Sequence, residues 1–86
     1  MGFLEELYNE NYQGVYVFKT QFDAFFCCEG RIIVNPGAKC KIIWEGSHPR
    51  MYFLRTHNFL PYSAVYLILK EKNYYLEKDY SQNCLL

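Results

Sequence analysis

The chain opens with Phe3, Leu4, Leu7 and Tyr8 at helical spacing and with Glu5 and Glu6 on the opposite face. That pattern predicts a short amphipathic helix over residues 1–11, with acidic charge near its N-terminus. A helix this short is marginal alone, so it must pack on the domain or on a partner. Asn9, Asn11 and Gly14 supply the turn chemistry that ends it. From Val15 the period changes to short runs of Val, Ile, Phe and Tyr separated by turn residues. Strands are predicted near 15–20, 22–28, 31–34, 39–45 and 51–55.

Asn35-Pro36-Gly37 reads as a type II turn, because proline presets the first turn angle and glycine accepts positive φ. It is expected to join Arg31–Val34 to Lys39–Trp44 as a hairpin. Gly30 and Gly46-Ser47-His48-Pro49 mark neighbouring turns. Alternation puts Cys40, Ile42 and Trp44 on one face, assigned to the core, and Lys39, Lys41 and Glu45 on the other, with Ile43 the exception. In the next run Tyr52 and Leu54 oppose Met51, Phe53 and Arg55, so both faces carry bulky groups. Such a strand is either central or presents one face to something else.

Ser63 to Tyr80 fits two periods. Ala64, Leu67, Ile68, Glu71 and Tyr75 suit a helix, whereas Val65, Leu67 and Leu69 followed by Tyr74, Leu76 and Lys78 suit two strands. Glu71-Lys72-Asn73 resembles a hairpin loop, and the hairpin is the reading adopted. The expected fold is therefore mainly β, a small antiparallel barrel or sandwich with a short N-terminal helix, a β core over 15–80 and a tail over 81–86. The alternative is an α+β arrangement with a C-terminal helix packed on an antiparallel sheet.

Composition narrows this further. At 86 residues, 51% hydrophobic and 20% aromatic, the chain carries enough apolar surface for one core and one domain, and too much for disorder. The longest uncharged stretch, Thr56 to Leu69, is too short for a bilayer and contains Asn58 and Pro61. Glu5 and Glu6 stand where a secretory signal would be basic and then apolar. Glu6 also replaces the Ser or Thr of a myristoylation signal, and Cys84 is third from the end, out of place for prenylation. A soluble cytoplasmic protein without a membrane partner is expected. Its four cysteines are then free thiols, with Cys27 and Cys28 acting as small hydrophobes in an apolar run.

The candidate chemistry is thin. Cys27, Cys28, Cys40, His48, His57 and Cys84 show no C-x-x-C spacing, and adjacent cysteines on a strand would point to opposite faces, so neither metal nor cofactor is expected. Cys40 lies between Lys39 and Lys41, but alternation turns those lysines away from its thiol. No paired carboxylates and no phosphate-binding glycine pattern appear, and an enzyme is not expected.

Charge and aromatic content point to binding instead. Residues 1–30 hold Glu5, Glu6, Glu10, Asp23 and Glu29 against Lys19, a net −4, and residues 31–57 hold Arg31, Lys39, Lys41, Arg50 and Arg55 against Glu45, a net +4. The halves neutralise each other within the fold, between copies in a homo-oligomer, or against a partner. The first reading is a protein-binding module with Arg50, Tyr52, Phe53 and Arg55 at the contact, because that strand is apolar on both faces. Short stand-alone domains of AT-rich coding bias suggest a phage or mobile-element inhibitor or regulator occupying a host protein's surface. The alternatives are a small nucleic-acid-binding barrel with Arg31, Lys39, Lys41 and Trp44 as its basic aromatic face, and a homo-oligomeric structural subunit.

Overall fold

A computed structural model describes residues 2–79. They form α1 (Gly2–Asn9), β1 (Gly14–Phe18), β2 (Phe22–Phe26), β3 (Gly30–Val34), β4 (Lys39–Glu45), β5 (His48–Phe53), α2 (Tyr62–Lys70), α3 (Lys72–Tyr75) and β6 (Leu76–Lys78). The strands make two antiparallel sheets, one of four strands in the order β5-β4-β1-β6 and one formed by β2 and β3. Neither sheet closes into a barrel. The fold is mainly β, with a short helix at its N-terminal end and a second helical segment near its C-terminal end.

The helix α1 follows the predicted spacing: Leu7 is buried, and Phe3 and Leu4 pack against the core. It stops where Asn11 and Gly14 take positive φ, 58° and 109°. At Gly14 a side chain would be strained by the positive φ, and the flexible Lys78 ammonium, whose Nζ lies 2.7 Å from where a β-carbon would sit, would have to move aside.

The segment expected as a C-terminal hairpin is instead α2, α3 and the short strand β6. Ala64, Val65, Ile68 and Leu69 form its buried stripe, a 3.6-residue period that alternation cannot produce. Pro61 starts the helix by offering its carbonyl to the Ala64 and Val65 amides. Val65 and Leu69 satisfy both periods because they are four residues apart, which is why this stretch read equally well as strand. Glu71-Lys72-Asn73 is not a hairpin loop: Glu71 alone separates α2 from α3, and Lys72 and Asn73 begin α3. Of the two expected strands, Leu76–Lys78 alone forms, paired with β1.

The Asn35-Pro36-Gly37 turn also forms, with Gly37 at φ 96° and the Ala38 amide donating to the Asn35 carbonyl at 3.3 Å. It does not make a hairpin. A strand has two edges, and both edges of β4 are taken, by β1 and β5, while β3 pairs with β2. The turn passes the chain from one sheet to the other and is pinned by a bond from the Gly37 amide to the Phe18 carbonyl, 2.8 Å.

One apolar cluster joins the layers: Tyr16 and Phe18 from β1, Cys40 and Ile42 from β4, Met51 from β5, Phe22 and Val34 from the small sheet, Leu7 from α1 and the buried stripe of α2. Everything packs on one side of the four-stranded sheet. The strand β5 is an edge strand, not a central one, and the edge is blunted by Pro49, whose missing N–H faces outward. Farther along, residues 58–60 return along that edge, with the Leu60 amide on the Met51 carbonyl and the Phe53 amide on the Asn58 carbonyl, both 2.9 Å.

Candidate binding face

Alternation along β1, β4 and β5 sorts their side chains to two sides. Tyr16, Phe18, Cys40, Ile42, Pro49 and Met51 point inward and are buried. Val15, Val17, Lys41, Ile43, Arg50 and Tyr52 point outward and are half-buried, and none of them joins the apolar cluster. Among the described residues no helix or strand lies over this outer face. An antiparallel sheet tolerates a wet face, which is normally polar. Here the rows run Val15–Lys41–Tyr52 across the three strands, with Phe59 paired to Tyr52 beyond the edge.

Phe59 is 47% exposed and organises the edge of this face. Its ring lies 5.2 Å from that of Tyr52, and the Arg50 guanidinium carbon sits 4.4 Å from its centroid. Arg50 is also held by Glu45, Nη1 to Oε1 at 3.0 Å. The His57 ring also stacks with Tyr52, at 6.4 Å and 16°. His57 takes φ 63°, a left-handed conformation in which histidine is over-represented, and this lets the loop turn back toward β5. The result is a contiguous aromatic and cationic ridge in which each side chain has a partner.

Phe53 and Arg55, expected to share a surface with Arg50 and Tyr52, lie elsewhere. Phe53 points to the inner side, where it packs against the apolar cluster. With Leu54, Arg55 and Thr56 it forms one wall of an open cleft of about 560 Å³, whose other wall is Ile33, Val34, Asn35, Gly37, Ala38 and Lys39. Ridge and cleft meet at the end of β5.

The expected nucleic-acid residues are also divided. Lys39 and Lys41 belong to the outer face. Trp44 belongs to the inner side, where its Nε1 donates to the Tyr12 carbonyl at 2.9 Å and its ring meets Tyr8 edge-on at 5.3 Å. Arg31 sits on the small sheet, bidentate to Asp23 at 3.0 and 2.8 Å. That contact holds the Asp23 carboxyl below its usual range and the Arg31 guanidinium above its own. Lys39 stands 3.3 Å from the mostly buried Asp79. Three of the five cations of the basic segment thus carry carboxylate partners, leaving Lys41 and Arg55 without an ion pair among the described residues.

The thiols divide sharply. Cys40 is fully buried, and burial pushes its thiol up to about 12, the reverse of what a nucleophile needs. Cys27 and Cys28 are exposed, contrary to the expectation of small buried hydrophobes, because β2 ends at Phe26 and both fall in the loop beyond it. Cys84 and the tail lie outside the described residues. Near the core, burial beside Tyr16 raises the Tyr12 phenol. Among the described residues no three of His, Cys, Asp and Glu converge as a metal site, and no helix is long and apolar enough to cross a membrane.

Phe59 was not singled out in the sequence, where it stands between Asn58 and Leu60-Pro61. The signal that could have found it is the aromatic spacing Tyr52…Phe59 around a Thr-His-Asn turn, which fits a chain reversal. Comparisons with protein-family models, curated proteins and solved structures found no match.

Proposed function

We propose that the protein is a non-catalytic protein-binding module whose contact surface is the outer face of the four-stranded sheet, which no described helix or strand covers, centred on Tyr52 and Phe59. The observation that carries this reading is the pairing of those two rings on a face that no described element covers. An aromatic pair with an adjacent arginine is the composition of an interface anchor, and the half-buried Val15, Val17 and Ile43 supply apolar area around it. The ion pairs at Arg50 and Lys39 leave the surface close to neutral, which suits a protein partner better than a phosphate backbone. In this reading the module acts stoichiometrically, as an inhibitor or regulator that occupies a partner's surface.

The test is affinity capture from a candidate host lysate, with and without nuclease, using the parent chain, a Tyr52→Ala/Phe59→Ala variant and a Phe25→Ala control. A stoichiometric partner held by the parent and the control but lost by the double variant supports the reading. Recovery of nucleic acid without nuclease, or a partner that ignores the double variant, overturns it.

A further inference from the structure

The loop that closes β2 and β3 is three residues long, Cys27-Cys28-Glu29, between the paired Phe26 and Gly30. Gly30 takes φ 78°, the conformation that lets so short a loop return to the ladder. Both cysteines are free and exposed at this tip. On a strand, two adjacent side chains would diverge to opposite faces. In the turn that constraint is gone.

We propose that Cys27 and Cys28 form a bidentate thiolate site for a soft, thiophilic trivalent centre of the organoarsenical class. Three considerations select this chemistry. Adjacent α-carbons are about 3.8 Å apart across a trans peptide, below the roughly 4.4–6.8 Å that a disulfide prefers, so the pair resists closing on itself and persists as a dithiol. A larger atom bonded to both sulfurs relieves that constraint by lengthening the bridge. Tetrahedral zinc requires four ligands, and among the described residues no cluster of three or more His, Cys, Asp and Glu supplies them, whereas a monosubstituted trivalent arsenical takes two thiolates and is complete.

The step balances without an oxidant. Phenylarsine oxide reacts with the two thiols to form two As–S bonds; the arsenic–oxygen bond breaks, and the oxygen leaves as water with both thiol protons. Arsenic remains trivalent, and neither sulfur is oxidised. The third described thiol, Cys40, is fully buried and takes no part.

The experiment titrates the full chain carrying Cys84→Ser with phenylarsine oxide, following intact mass and free thiols. One arsenical per chain is expected, consuming two thiols and reversed by a small dithiol but not by an equal concentration of monothiol. Cys27→Ser and Cys28→Ser are each expected to weaken binding by about 10²–10⁴-fold, the gain that a second linked contact provides. Both substitutions are at exposed loop positions, and an unchanged urea midpoint confirms that each variant is folded. Loss of one thiol per arsenical, reversal by monothiol, or parent-like affinity in either folded variant overturns the proposal.

Discussion

Tyr52 and Phe53 are consecutive in β5 and serve opposite sides of the sheet: the Tyr52 ring meets those of His57 and Phe59 on the outer face, while Phe53 packs toward the core. Their truncations should therefore separate. Phe53→Ala is expected to cost about 2 kcal/mol of stability, less than a fully buried phenylalanine because it is only partly enclosed. Tyr52→Ala should change stability by less than about 1 kcal/mol and instead speed dissociation of a bound partner. Urea unfolding and surface binding kinetics on the two variants check this; equal stability losses would place both side chains in the core.

The helix α2 makes a similar contrast. Ile68 is fully buried and Leu67 is 40% exposed, although they are neighbours. Ile68→Ala is expected to cost about 2–5 kcal/mol and Leu67→Ala less than about 1 kcal/mol. A strand would group Leu67 with Val65 and Leu69 and so reverse the order. Denaturant midpoints of the two variants decide between them.

Cys40 gives a pH dependence of known sign. Its folded value is raised from the ordinary 9.0 to about 12, so the stability tied to its neutral thiol is fully present below pH 9 and is lost as pH rises toward 12. Between pH 8 and 10 that loss should reach about 1.4 kcal/mol. The stability difference between the parent and Cys40→Ala should shift by that amount in favour of the variant at pH 10, since the other titrating groups are common to both. A difference that stays constant would mean that the thiol ionises freely in the folded chain.

Trp44 lies on the side of the sheet opposite Lys39 and Lys41. Its fluorescence is therefore expected to stay unchanged when an oligonucleotide or a protein is added that contacts the outer face alone. Trp44→Phe removes the hydrogen bond to the Tyr12 carbonyl and leaves that acceptor to find another donor, which should cost about 1–2 kcal/mol. A saturable emission change on adding single strands would place the contact on the inner side instead.

Local patterns in the chain determined a good deal. The helical spacing of Phe3, Leu4 and Leu7, the alternation of Cys40 and Ile42 against Lys39 and Lys41, and the glycines at Gly30, Gly37 and Gly46 each act through neighbours a few residues away, and each is present in the fold. What tertiary structure decided was which edges pair and which faces are covered. Nothing near Asn35-Pro36-Gly37 records that both edges of β4 are claimed by β1 and β5, so the turn was legible and its hairpin was not. Val65 and Leu69 suit either period, and only the need to cover the inner face of the sheet, by burying Ala64 and Ile68 with them, makes that stretch a helix. The same packing puts Tyr52 and Phe59 together on the outer side and turns Trp44 to the inner one. Pairing and burial are free energies of the assembled layers, and a run of five residues carries the propensity to be a strand without the identity of its neighbour.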